Sequence, residues 1–237
     1  MIVLILGSGP NVTACADWPK PPFDRIVAIN NAWNVRPDWD ILVHPEDFPR
    51  DRQPRALAAD QRIITADAYI PAQNAFGGIV YAGGTMAFTA SYWALHALAP
   101  AVIAYLGCDM VYPAAGRTHF YGTGTADPLR PDITLRSLPA KAARLEALAA
   151  RQGCALVNLS TQDSRLTFPR ARPEDLPGRT PRRIDPDALG AALAAEAEAA
   201  YSVPSGKYWK VEDQFDPAVI DRIDALWAAT EPQVQTA

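Results

Sequence analysis

Short apolar segments alternate with polar or helical stretches along most of this chain. Five of them have the length and composition of a buried β-strand, and a sixth is less apolar. Such alternation predicts parallel strands joined by crossover helices. The expected fold class is α/β, with a doubly wound, mostly parallel, Rossmann-like sheet. The predicted strands are residues 2–6, 25–29, 41–44, 61–65, 101–106 and 155–159.

Helical periodicity and capping residues predict four helices. The first is apolar almost all round and is expected to be a buried crossover helix, whereas the second has one apolar face. The last two each begin with an Asp-Pro pair, in which aspartate caps the helix and proline takes the first helical position. The predicted helices are residues 85–98, residues 137–153 between a serine cap and a glycine stop, and two that begin at Asp185 and Asp216.

The composition changes after residue 168. Residues 169–186 are rich in proline and arginine, which is typical of a linker or a surface excursion. We therefore expect an α/β domain over residues 1–168, a linker over residues 169–186, and a C-terminal helical lid or appendage over residues 187–237.

Composition excludes several classes of protein. With 237 residues, 49% of them apolar and 20% charged, the chain can bury a core without disulfides or metals. A net charge of −4 argues against a nucleic-acid-binding surface. Cys15, Cys108 and Cys154 lack metal-site spacing and are expected to be reduced core residues. The first apolar run is too short to span a bilayer and follows no basic region, so we expect a cytoplasmic protein without a transmembrane segment.

The first predicted strand runs into the turn Gly7-Ser8-Gly9-Pro10. Because Gly7 and Gly9 lack Cβ, a bound anion could approach the backbone closely, where several N–H groups point at it. The motif is shorter than the full Gly-x-Gly-x-x-Gly fingerprint, and no Walker lysine follows. A tight turn that binds nothing is the alternative.

Polar residues follow the other predicted strands as well. Ligands of open parallel sheets bind beyond the carboxyl ends of the strands. Asn30 and Asn31 follow the second strand, where their amides could bind a nucleobase or sugar, or could form a turn. Gly84 and Thr85 begin the first helix, where they could contact a phosphate or only cap the helix.

Asp109 and His119 are the candidates for acid–base chemistry. Asp109 follows a strand, and its carboxylate could hold a ribose hydroxyl, a metal or a loop N–H. His119 lies in the run of the chain richest in reactive side chains, and imidazole titrates near neutrality, although a hydrogen-bonded surface histidine is the alternative. His96 is expected to lie in the core. His44, followed by two acidic residues, could contact a metal or substrate or lie in a solvated turn.

Residues 207–210, Lys-Tyr-Trp-Lys, are a further candidate. With the arginines of residues 169–186 they could close over a diphosphate. Alternatively, the arginines are solvated, and Tyr208 and Trp209 pack the C-terminal segment onto the main domain.

The order and spacing of these motifs over residues 1–168 resemble those of bacterial sialyltransferase-type glycosyltransferases, which use CMP-sialic acid, and of the related 6-hydroxymethylpterin diphosphokinase-like domains. The likeness rests on the glycine turn, the asparagine pair, the start of the helix at residue 85, residues 106–112 and the helix that leads to residues 156–160. The resemblance implies a nucleotide-binding domain in which Tyr112 and Tyr121 stabilise the departing phosphate without a metal. The implied donor-binding residues are Gly7, Ser8, Gly9, Asn30, Asn31, Gly84 and Thr85.

The general-base histidine of that family lies shortly before the helix that begins here at Ser137. This sequence has Asp132, Thr134 and Arg136 in that stretch and no histidine. The resemblance therefore leaves His119 or Asp109 as the expected base.

The leading hypothesis is an inverting, nucleotide-sugar-dependent glycosyltransferase. It would use a CMP-type donor and a glycan or small-molecule acceptor, with no further cofactor and no metal. One alternative is an ATP- and magnesium-dependent diphosphokinase-like phosphotransferase, with the metal held by carboxylates such as Asp109. The other is a non-catalytic module that binds a nucleotide or a glycan.

Overall fold

The structure, a computed structural model, describes residues 1–230; the last seven residues of the predicted C-terminal segment, 231–237, lie outside the described residues. In the described part of the chain, six parallel strands form one sheet in the order β4-β3-β2-β1-β5-β6. The predicted α/β class is confirmed, and each strand lies where the sequence pattern indicated. The strands are β1 (Ile2–Leu6), β2 (Arg25–Ile29), β3 (Ile41–Val43), β4 (Arg62–Ile64), β5 (Val102–Leu106) and β6 (Ala155–Asn158).

Within residues 1–230, six α-helices accompany the sheet: α1 (Ala66–Asn74), α2 (Ile79–Ala82), α3 (Met86–Leu98), α4 (Leu138–Arg151), α5 (Pro186–Ala199) and α6 (Pro217–Ala228). The last four correspond to the predicted helices. Each begins at a side chain that accepts a hydrogen bond from a backbone N–H of the first turn, and these caps are Thr85, Ser137, Asp185 and Asp216. Helices α1 and α2 have no counterpart among the predictions.

The sheet is buried on both faces. Val3 and Ile5 of β1 point into the larger core, beneath α1, α3 and α4, whereas Leu4 and Leu6 point into the smaller core on the other face. This alternation follows from the period of two along a strand. The Pro/Arg-rich segment contributes Leu176 to the smaller core, so it covers that face of the sheet.

The C-terminal helices pack on α4 and share its core. Trp227 and Ile220 of α6 are fully buried in the same cluster as the side chains of α3 and α4. The carboxylate of Glu196, on α5, accepts hydrogen bonds from the buried Arg144 at 2.6 and 2.8 Å and from Trp227 Nε1 at 2.7 Å. One network thus joins α4, α5 and α6.

The strand order places the candidate site. From β1 the chain adds β2, β3 and β4 on one side, and β5 and β6 then lie on the other side of β1. The loops that follow β1 and β5 therefore leave the sheet at its topological switch point, where ligands of open α/β sheets bind.

Candidate functional site

A cleft of about 1380 Å³ lies at this edge of the sheet. Its walls come from the loops after the strands, the start of α3, the loop of residues 107–130 and residues 205–209. The cleft brings together all but one of the site residues predicted from the sequence. Those that line it are Gly7, Ser8, Gly9, Asn30, Gly84, Thr85, Asp109, Tyr112, His119 and Tyr121.

The glycine turn is shaped by the neighbouring β5 loop. A Cβ at Gly7 would lie 2.3 Å from the carbonyl oxygen of Gly107, and one at Gly9 would lie 2.9 Å from it. The N–H groups of Gly7 and Gly9 donate to the carbonyls of Leu106 and Gly107, each at 2.8 Å. The glycines thus allow two loops to meet, and these two N–H groups are already used within the protein.

The structure separates the two predicted asparagines. Asn30 has a φ of 51°, a left-handed conformation that asparagine tolerates, and the residue lines the cleft. Its Oδ1 atom is buried without a hydrogen-bond partner. Asn31 is buried and lies outside the cleft lining. Of the pair, only Asn30 lines the cleft.

Asn11 was not among the predicted site residues, although it directly follows the glycine turn. Its Nδ2 donates to Asp109 Oδ2 at 2.7 Å and to Ser160 Oγ at 2.8 Å. A carboxylate only accepts hydrogen bonds, so Asp109 fixes the orientation of the Asn11 amide. Asn11 Oδ1 is buried, has no partner and belongs to a residue that lines the cleft.

Asp109 is engaged within the protein. Besides Asn11 Nδ2, it accepts a hydrogen bond from Asn158 Nδ2 at 3.1 Å, and it is 7% exposed. The carboxylate therefore ties the β5 loop to the ends of β1 and β6. This contact set fits a group that positions Asn11 better than it fits a general base.

The start of α3 forms another part of the cleft wall. Thr85 caps the helix by accepting a hydrogen bond from Phe88 N at 3.3 Å, and Gly84 N donates to Thr134 Oγ1 at 3.0 Å. Met86 and Ala87, in the first turn, line the cleft. The partial positive charge of the helix N-terminus thus lies beside the space available to a ligand.

His119 lies between two tyrosines in the cleft. Its ring centroid is 5.9 Å from that of Tyr112 and 5.1 Å from that of Tyr121, which stacks on it at 24°. Burial lowers the pKa of His119 from its ordinary 6.5, so the imidazole is neutral at pH 7. Burial also raises the pKa of Tyr112 to about 12, which keeps its phenol protonated as a donor.

The backbone around His119 is held in place. Phe120 N donates to Ser8 O at 3.0 Å, and His119 N donates to Gly122 O at 2.9 Å. The imidazole Nδ1 lies 2.9 Å from Thr118 Oγ1. When Nδ1 carries the proton, this contact occupies it and leaves Nε2 as the basic nitrogen.

A polar cluster of Arg130, Asp132, Thr134 and Tyr208 connects the start of α3 to the C-terminal segment. Tyr208 Oη donates to Asp132 Oδ2 at 2.5 Å and accepts from Arg130 Nη2 at 3.1 Å. Burial alone would raise the pKa of Asp132, but hydrogen bonds from Thr134 and Tyr208 outweigh it and lower this pKa. Residues 130 and 208 are far apart in the chain, so no local pattern indicated the cluster.

Other predicted candidates lie elsewhere. His44 is buried, with Nδ1 2.8 Å from Pro45 O, and does not line the cleft. The prediction of a core His96 is wrong, because this residue is exposed in the last turn of α3, on the side away from the core. Arg170 and Arg182 donate to backbone carbonyls of the chain and do not line the cleft. Within residues 1–230, no group of histidine, cysteine or acidic side chains is arranged to hold a metal ion.

No protein-family model, curated protein or solved structure matches the chain. Along the described part of the chain, no helix combines the length and the apolar character needed to cross a membrane. The geometry of the cleft therefore carries the functional inference.

Proposed function

We propose that the protein is a nucleotide-sugar-dependent glycosyltransferase that takes a CMP-type donor and transfers the sugar, with inversion, to an acceptor hydroxyl. The observation that carries the proposal is the composition of the cleft. It holds two amide oxygens without partners, the N-terminus of a long helix, and a neutral imidazole between two phenols. The likeness of the sequence motifs to sialyltransferase-type enzymes supports the choice of donor.

The amide oxygens of Asn11 and Asn30 define the nucleoside side of the cleft. Buried polar atoms are nearly always hydrogen-bonded, so both oxygens call for a donor group. A ribose hydroxyl or the amino group of cytosine supplies one. Asn30 follows β2 about 20 residues after the glycine turn, where dinucleotide-binding sheets place the residue that binds a ribose hydroxyl. The N-terminus of α3 would then face the donor phosphate.

The chemistry assigned to the cleft is a single displacement. His119 removes the proton from the acceptor hydroxyl as its oxygen attacks the anomeric carbon of the donor sugar. The bond between that carbon and the phosphate oxygen breaks, and the nucleotide leaves with both electrons. The protonated phenol of Tyr112 donates a hydrogen bond to the departing phosphate, whose negative charge increases in this step.

Nucleotide selectivity is the first test. Calorimetric titration of CMP, UDP, GDP and ATP, each with and without Mg²⁺, should give the tightest binding for CMP, unchanged by the metal. Tightest binding of ATP, and only with Mg²⁺, would contradict the proposal and favour the diphosphokinase-like alternative. Absence of binding by every nucleotide would also contradict it.

Turnover is the second test. Release of CMP from CMP-sialic acid, in the presence of a mixture of acceptor sugars, should fall about 10²–10⁴-fold in His119→Gln. The affinity for CMP should remain unchanged. His96→Gln is the matched control, because His96 is exposed outside the cleft. Nucleotide binding without release of CMP by the unaltered protein would support the non-catalytic module instead.

A further inference from the structure

Trp209 is exposed to an unusual degree for a tryptophan. Its exposed fraction is 60%, more than that of any other large apolar side chain in residues 1–230. Tryptophan is largely buried in most proteins, because its ring presents a large apolar area. Trp209 also lines the cleft, so its exposed ring borders the candidate site.

The Trp209 ring packs on a buried neighbour. Tyr208 packs edge-on against Trp209, with ring centroids 5.5 Å apart and an interplanar angle of 81°. Tyr208 is itself buried, and its hydroxyl is held between Asp132 and Arg130. The preceding segment is tied down by the hydrogen bond from Asn74 Nδ2 to Pro204 O at 2.8 Å. The indole therefore packs at the cleft wall on a buried tyrosine whose hydroxyl is hydrogen-bonded.

A second exposed ring lies in the same cleft. Tyr121 is 46% exposed and stacks on the imidazole of His119. Trp209, Tyr121 and the candidate base His119 thus all line the same cleft. Lys207 and Asp163 also line it, and both have polar groups that can bind hydroxyls.

The size of the cleft leaves room for two ligands. Its volume of about 1380 Å³ exceeds the roughly 300–1,000 Å³ of a typical small-molecule site. A nucleotide held by Asn11, Asn30 and the start of α3 would fill only part of it. The space beside Trp209 and Tyr121 remains for a second molecule.

We propose that Trp209 and Tyr121 form the acceptor subsite and that the acceptor is a saccharide. The apolar C–H face of a sugar ring stacks on an aromatic ring, while its hydroxyls bind polar groups around the ring, and this cleft supplies both. That the saccharide is an acceptor rests on the proposed function. Its binding at the two rings does not.

The test is a titration of saccharides into the full chain, with and without saturating CMP, followed by ligand-observed NMR. The probes are the methyl glycosides of galactose, glucose, mannose and N-acetylglucosamine, together with lactose. We expect at least one to bind. Trp209→Ala should weaken that binding at least about tenfold, Trp209→Phe should retain most of it, and Leu57→Ala, which alters an exposed residue outside the cleft, should leave it unchanged.

Two results would overturn the inference. One is that none of the saccharides binds the unaltered protein, and the other is that Trp209→Ala binds them equally well. The affinity for CMP separates this inference from the proposed function. Saccharide binding that depends on Trp209 in a protein that does not bind CMP would support the subsite and contradict the glycosyltransferase. Normal CMP binding without saccharide binding would contradict the subsite alone.

Discussion

We expect Glu196→Ala to destabilise the entire fold by about 3–5 kcal/mol. Glu196 is 7% exposed, and its carboxylate accepts three hydrogen bonds, two from Arg144 and one from Trp227. Burial alone would lower the pKa of Arg144, but Tyr92 and Glu196 outweigh it and raise this pKa. Arginine is not deprotonated in proteins, so the guanidinium stays charged when its partner is removed.

The size of the expected loss of stability follows from the buried charge that the substitution leaves without a partner. Arg144 is 1% exposed, and an uncompensated buried charge of this kind costs about 3–5 kcal/mol. The unpaired Nε1–H of Trp227 acts in the same direction. For a chain of this length each kcal/mol lowers the melting temperature by about 2–4 °C, so the expected decrease is about 6–20 °C. Glu196→Gln should lose less, because its amide oxygen can still accept.

The assay is urea and thermal unfolding followed by far-UV circular dichroism. Glu198→Ala is the matched control, because Glu198 lies on the same helix and is exposed; it should change stability by no more than about 0.5 kcal/mol. A loss of stability below about 1 kcal/mol in Glu196→Ala would contradict the proposed role of this carboxylate as the partner of a buried charge. A separate early unfolding transition confined to the C-terminal helices would contradict the conclusion that α5 and α6 share a core with α4.

Three further predictions concern the turn, the base and the polar cluster. Gly7→Ala should destabilise the protein by about 1–3 kcal/mol, because the new Cβ would lie 2.3 Å from a backbone oxygen. Gly190→Ala should instead stabilise it by roughly 0.5–1 kcal/mol, because the space around Gly190 is open. Urea unfolding measures both changes. Sugar transfer should rise with pH to a plateau, with a midpoint below 6.5 because burial lowers the pKa of His119; a midpoint above 6.5, or the same rise in His119→Gln, would contradict its role as base. The pKa of Asp132 is lowered from 3.8, because hydrogen bonds outweigh the effect of burial, so its contribution to stability is complete above that pH and is lost as the pH falls through the lower folded value. The urea midpoint of Asp132→Asn should therefore fall less between about pH 6 and about pH 3 than that of the unaltered protein, and an equal fall would count against this contribution.

Local patterns predicted most of the secondary structure. Buried parallel strands are apolar runs bounded by turn residues, and five of the six were found in this way, whereas the partly exposed β4 gave a weaker pattern. The helix caps could be predicted from the local sequence, because each cap residue accepts a hydrogen bond from a backbone N–H in the first turn of its own helix. These caps are Thr85, Ser137, Asp185 and Asp216. Helix α1 was missed because Pro71 lies inside it, and proline removes a helical hydrogen bond.

Only those parts of the candidate site that follow directly after a strand could be predicted from the sequence. The glycine turn and Asn30 follow strands, so their place at the edge of the sheet followed from the strand pattern. Gly7 is required because the loop at Gly107 approaches it closely. Trp209 packs on Tyr208, whose hydroxyl is hydrogen-bonded to Asp132 and Arg130. Such contacts join residues far apart in the chain, so they became visible only once the strand order was known.

The proposed nucleotide site is best tested by measuring the binding of CMP to the unaltered protein and to Asn30→Gly. Glycine keeps the left-handed backbone of residue 30 without strain and removes only the amide. Asn34→Ala is the control, because it removes an exposed amide from the same turn outside the cleft. We expect calorimetry to show an affinity for CMP that is weakened about three- to tenfold in Asn30→Gly alone, as for the loss of one neutral hydrogen bond. Equal binding by all three proteins, or binding by none, would contradict the proposed site.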